Sequence, residues 1–181
     1  GTNALPNGIE GTADDIKDQP KPRIFGRIAL MQPVLVNTSK LIYQCNAGPV
    51  DAVINVFDSG AYLSRTANTY TSQSDMEANA PAQGAFKVWP AGGCFRLGSS
   101  PVGTVSCSVA ERWDYLDISA AGIIKRILQE KGFTSADWAE SDFDALNEKS
   151  AGPLGVIVNP EETTAALIER IAQTVGVWWG F

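Results

Sequence analysis

From residue 24 to residue 109, apart from a polar, small-residue-rich stretch at 64–84, the chain is a succession of short apolar runs separated by glycine- or proline-containing turns. This spacing leaves few folds open. Residues 24–31, 40–45, 50–57, 85–89, 94–97 and 104–109 read as strands. Between them lie turn signals: Asn46-Ala47-Gly48-Pro49, Asp58-Ser59-Gly60, Pro90-Ala91-Gly92-Gly93, and Gly98 through Gly103. An antiparallel sheet or small barrel is therefore expected. In residues 50–57, Val50, Ala52, Ile54 and Val56 alternate with Asp51, Val53, Asn55 and Phe57. Both sets hold apolar residues, so this strand should be covered on both faces. One short helix fits at residues 74–80, where Ser74 and Glu77 match a capping box.

The texture changes near Asp114. Ser119 is placed to cap a helix with Ile123, Ile124, Ile127 and Leu128 on one face, and Gly132 ends it. Ser135 and Ser141 offer further caps around Trp138, Phe143 and Leu146. Residues 153–158 read as a short strand. Asn159-Pro160-Glu161-Glu162 reads as a helix start, with Asn as cap and Pro in the first turn. Leu167, Ile168, Ile171, Ala172 and Val175 then share a face, and Gly176 is the expected stop. Val177-Trp178-Trp179-Gly180-Phe181 has the look of an aromatic strand opening, with no return partner in the sequence. We therefore expect a piece of a longer polypeptide. Trp178, Trp179 and Phe181 are the candidate interface residues, because two adjacent tryptophans on a strand face opposite sides. The plainer account is that they pack under a continuation of the same chain.

Residues 1–23 are polar and broken by Pro6, Gly8, Gly11, Pro20 and Pro22, which favours an extended arm, either a flexible leader or a segment that lies along a neighbour. The expected class is thus α+β: an arm over 1–23, an antiparallel β-rich part over 24–112, and a helix-containing α+β part over 113–181. No internal repeat is convincing.

Composition excludes several functions. The net charge of −6, with lysine and arginine scattered, argues against nucleic acid and anionic membranes as partners. No stretch approaches a membrane span, and the first residues do not form a signal peptide. The chain has 0 histidines, which removes the commonest general base and metal ligand. Cys45, Cys94 and Cys107 are widely spaced and read as buried free thiols, not as a zinc site or disulfide framework. The glycines at 92–93 and 98–103 sit between strands and lack the lysine and following helix of a phosphate loop. Asp137, Glu140, Asp142, Asp144 and Glu148 form an acidic cluster. It misses the EF-hand pattern at its glycine and terminal glutamate positions, and a solvated helix accounts for it. A glycosidase would need two converging carboxylates; Asp51, Asp58, Glu111 and Asp114 are available, but no spacing selects a pair. No catalytic residue, cofactor or metal ligand is assigned.

Several segments, taken in order, resemble structural tail proteins of tailed bacteriophages and prophages. They are Lys21-Pro22-Arg23-Ile24-Phe25-Gly26-Arg27, Pro33-Val34-Leu35-Val36, Leu41-Ile42-Tyr43-Gln44 and Val56-Phe57-Asp58-Ser59-Gly60. Phe95-Arg96-Leu97-Gly98-Ser99 follows with Pro101-Val102-Gly103-Thr104-Val105, and then Glu162-Thr163-Thr164 leading to Val175-Gly176-Val177-Trp178-Trp179-Gly180-Phe181. In that family the last aromatic strand is followed by a hairpin return, which is absent here. The resemblance implies a virion structural role at the tail tip, hub or baseplate, with assembly in the bacterial cytoplasm. It implies other tail proteins or domains of the same parent chain as partners, and a ring-forming homo-oligomer in the full-length context. It supplies no catalytic residue. A carbohydrate- or receptor-binding module of a tail, and a tail-associated cell-wall hydrolase, are the other classes it admits.

Overall fold

The structure, a computed structural model, describes residues 14, 16, 17, 19–177, 179 and 180. The remaining arm residues, with Trp178 and Phe181, lie outside the described residues. The fold is α+β, with two antiparallel-rich sheets and four helices. The chain divides into two compact units. One holds the chain up to Ile24 and then Ile28–Glu111; the other holds Phe25–Arg27 and the chain from Arg112 onward.

In the first unit, β1 (Ile24–Met31), β9 (Val105–Ala110), β4 (Ala52–Asp58) and β5 (Ala61–Tyr62) are neighbours in that order. A second sheet has the order β2 (Val34–Asn37), β3 (Ile42–Gln44), β8 (Cys94–Leu97), β7 (Ala85–Trp89), β6 (Ser64–Arg65). Chain connectivity joins the two at both sides. β1 runs through Gln32-Pro33 into β2, and β5 runs through Leu63 into β6. Each bend takes the chain from one sheet into the other without a long return loop. One core fills the space between the sheets: Ile28, Val56, Cys107 and Val109 come from the first, and Tyr43, Phe86 and Phe95 from the second. Tyr43 stacks on Phe95 at 5.5 Å, and Phe86 meets Phe95 edge-on at 6.1 Å. Cys45 and Cys107 lie in this core, and burial pushes the Cys107 thiol up to about 12.

Three details differ from the sequence expectation, each for a local reason. Strict alternation in residues 50–57 puts Val53 and Val56 on opposite faces, yet both are fully buried in the same core. A β-bulge between Val53 and Asn55 resets the register. The β6–β7 pair is parallel, whereas the β2–β3, β3–β8, β7–β8, β4–β5 and β4–β9 pairs are antiparallel. The short helix α1 (Gln73–Ala78) is capped by Ser72, whose side chain accepts from Asp75 N, and not by Ser74. Glu77 does not return to the cap; it binds Lys40 and Gln73. The Asp58-Ser59-Gly60 turn is a two-residue hairpin loop with left-handed Ser59 (φ 50) and Gly60 (φ 87). Asp58 also accepts from Val102 N at 2.6 Å and Gly103 N at 2.9 Å, fixing the neighbouring loop.

A second apolar cluster covers the outer face of β2, β3 and β8, with Val36, Ile42, Cys94, Tyr70 and Met76 of α1. Ile16 of the arm packs against it.

The second unit is built on α2 (Ala120–Glu130), α3 (Glu140–Lys149), β10 (Gly155–Ile157) and α4 (Thr164–Thr174). Ile123, Ile127, Leu167, Ile168 and Ile171 pack with Phe25 and Val156 into one cluster. Helices α2 and α4 follow one design. Ser119 and Thr163 cap them, accepting from Gly122 N and Ala166 N. Gly132 and Gly176 end them in left-handed conformation (φ 89 and 71). Phe133 N then bonds to Leu128 O and Gly132 N to Gln129 O; Val177 N bonds to Ala172 O and Gly176 N to Gln173 O. This is the Schellman pattern twice over. Arg126 and Arg170 each reach back to a carbonyl ahead of their helix, at Asp117 and Ile157. The two segments share Ala121/Ala165, Ile124/Ile168, Arg126/Arg170, Ile127/Ile171, Gln129/Gln173 and Gly132/Gly176, a correspondence confined to one short helix and its ends.

Two expected helix starts are corrected. Helix α4 does not begin at Asn159-Pro160. Asn159 forms a turn, accepting from Glu161 N, and Glu162 pairs with Arg170, so Thr163 becomes the cap. Helix α3 is preceded by Ala139, without a side-chain cap; neither Ser135 nor Ser141 serves. Asp137 is engaged with Thr134 instead.

Gly26 of β1 has φ +74, and a Cβ there would collide with the Leu154 carbonyl oxygen and crowd Ile123. Gly26→Ala is expected to destabilise the protein by roughly 2–4 kcal/mol, combining left-handed strain with overpacking against backbone. Urea unfolding followed by circular dichroism measures it; a loss under about 0.5 kcal/mol would contradict the packing described.

Candidate protein-interface groove

The second unit contains an open groove of about 620 Å³, bounded by its three helices and by Trp179. Its walls follow from the helix ends. A Schellman turn folds the residue after the glycine back over the last helical turn. Leu128 with Phe133, and Ala172 with Val177, are the two resulting pairs, and all four residues line the groove. Phe133 is 38% exposed.

Helix α3 forms the remaining wall and is lightly held. None of its residues is buried, and Phe143 and Leu146 are partly so. Its N-terminal end is fixed by a polar and aromatic cluster. Lys125 of α2 donates to Glu140 Oε1 and lies 5.0 Å over the Phe143 ring. Trp138 Nε1 donates to Glu140 Oε2 at 3.0 Å, and its ring meets Phe143 edge-on at 5.9 Å. Hydrogen bonds from Lys125 and Trp138 hold the Glu140 carboxyl below its ordinary range; Thr134, through its backbone N–H and then its hydroxyl, does the same for Asp137.

Of the candidate interface residues, Trp179 lines this groove and packs on the helical cluster. It is not in a strand: Val177 is taken up by the Schellman turn, and Trp179 and Gly180 are irregular. Trp178 and Phe181 lie outside the described residues. The acidic cluster maps to the loop before α3 and to α3, with all five carboxylates exposed. Of the four carboxylates considered for hydrolysis, Asp58 clamps the 101–103 loop and Asp114 accepts from Leu116 N. Asp51 and Glu111 are neighbours across the sheet, Asp51 N donating to Glu111 O, and Glu111 is buried. Among the described residues no group of three His, Cys, Asp or Glu is placed to hold a metal ion, and no helix is long and apolar enough to cross a membrane.

The sequence reading missed Lys125, Trp138 and Phe143 as a unit, and Phe133 as a wall. The glycine stops at 132 and 176 were the available signal, since an apolar residue after such a glycine commonly folds back.

No family profile, curated protein or solved structure matches this chain.

The pH dependence of α3 follows from its anchors. A carboxylate whose folded pKa is depressed contributes fully above its unfolded value near 4, and the contribution is lost as pH falls through the lower folded value. Acidification below about pH 4 should therefore release the α3 end and change Trp138 fluorescence before the β core unfolds. Lys125→Ala should produce the same spectral change at neutral pH. Coincident loss of Trp138 and β-sheet signals in both cases would contradict a locally anchored helix.

Proposed function

We propose that this chain is a structural component of a bacteriophage or prophage tail, at the tail tip, hub or baseplate, acting through protein–protein assembly. The observation that carries the reading is the ordered series of segments from Lys21 to the aromatic end, which resembles such tail proteins over nearly the whole chain. An open apolar groove beside Trp179 supports it, because apolar surface lined by aromatic rings is characteristic of surfaces that meet other proteins. The work is architectural: the chain presents surfaces to other tail proteins in a ring-forming assembly. Its place is the virion tail, after assembly in the bacterial cytoplasm. No catalytic step is assigned to it.

A carbohydrate-binding reading has one observation behind it. Trp113 (48% exposed) and Tyr115 (52% exposed) stand on a loop of the second unit, with Arg27 5.0 Å over the Trp113 ring. A glycan array with the purified protein addresses that reading directly.

The main test is induction of the lysogen carrying the gene, with and without a deletion of it. Mass spectrometry of purified particles should find the protein in wild-type virions, and electron microscopy of the deletion should show filled heads without complete tails. Normal tails in the deletion, with the protein absent from wild-type particles, would refute the assignment.

A further inference from the structure

We infer that the groove of the second unit is the docking site for an amphipathic segment of a partner protein, with an apolar face flanked by lysine or arginine. The inference rests on the reading of the chain as an assembly protein and adds the chemistry of the partner.

Three observations converge. The groove has a volume of about 620 Å³, room for several apolar side chains of a docked segment. Its walls offer Leu128, Phe133, Phe143, Leu146, Val177 and Trp179. These are apolar and aromatic surfaces of the kind an amphipathic helix seats against through residues at i, i+3, i+4 and i+7. One wall is a helix with no buried residue of its own, tied at its N-terminal end by Glu140 and resting on the cluster through Phe143 and Leu146.

Charge selects the occupant. Residues 137–149 carry Asp137, Glu140, Asp142, Asp144 and Glu148 against Lys149 alone. Asp137 and Asp142 line the groove directly beside Lys149, and Glu140 is offset by Lys125 of α2, so the net negative charge of the lip rests on Asp137, Asp142, Asp144 and Glu148. Such a lip repels an acidic segment and an anionic lipid surface, and attracts a basic one. A second copy of this chain is a poor occupant on the same ground, since it carries a net charge of −6 and its basic residues are scattered. A lysine- or arginine-flanked segment satisfies both features at once. Its apolar side chains enter the groove and its cations meet Asp137 and Asp142, which sets orientation and speeds encounter.

The test uses the full chain and a fluorescein-labelled synthetic peptide of about fourteen residues, long enough for the i to i+7 pattern. It carries leucine at those positions with lysine on the flanks. Two controls accompany it: the same peptide with glutamate for lysine, and the lysine peptide with its leucines scrambled. Anisotropy titrations should show the patterned lysine peptide binding at least about tenfold tighter than either control, with affinity falling as salt rises. Asp142→Lys, an exposed substitution, should weaken it about threefold. Ala145→Trp, an exposed wall position that would fill the groove, should weaken it about tenfold.

Equal binding of lysine and glutamate peptides, equal binding of the scrambled peptide, or indifference to Ala145→Trp would overturn the inference. So would concentration-dependent self-association that Ala145→Trp abolishes, because the occupant would then be a second copy. The two readings separate cleanly. A protein found in tails but blind to the peptide keeps its place in the virion and loses this partner. A protein that binds as described but is absent from particles keeps the groove chemistry and loses the tail.

Discussion

The first unit depends on a constraint of backbone hydrogen bonding: a sheet edge with unpaired N–H and C=O groups must be covered or passed to another strand. Here two short corners, Gln32-Pro33 and Leu63, carry the chain from one sheet into the other. Each corner lets one run of chain serve two ladders. The consequence is a single interior shared by both sheets, into which Tyr43, Phe86 and Phe95 can stack. The bulge at Val53/Asn55 belongs to the same solution, because it bends β4 and directs both Val53 and Val56 inward.

The second unit solves a different problem. Its helices are short, so each end matters. Side-chain caps at Ser119 and Thr163 satisfy the first N–H groups, and Schellman turns at Gly132 and Gly176 satisfy the last carbonyls. The same turns place Phe133 and Val177 against the ends of their own helices, and those residues become groove walls. The termination chemistry of two helices thus prepares the surface on which the proposed assembly role depends. Helix α3, lacking a side-chain cap, is held by Lys125, Trp138 and Phe143 instead.

Much of this was legible in the residues. The strands at Ile24–Met31, Ala85–Trp89 and Cys94–Leu97 follow from β-branched and aromatic runs bounded by proline and glycine. Ser119, Gly132 and Gly176 announced their helix boundaries because cap geometry is local. The start of α4 was misplaced because two adjacent cap signals compete, and the ion pair between Glu162 and Arg170 favours the later one. The groove was not legible at all, since its walls come from residues far apart in the chain.

By itself the sequence determined what depends on near neighbours: the β texture to residue 110, the helical faces of α2 and α4, the glycine stops, and the acidic run at 137–149. Tertiary structure alone decided the rest. It faced the two sheets across one core, set a parallel β6–β7 pair, bulged β4, and left a gap between α3 and its neighbours. The reason is that register and residual volume depend on how side chains distant in sequence share space, and no local preference encodes that sum.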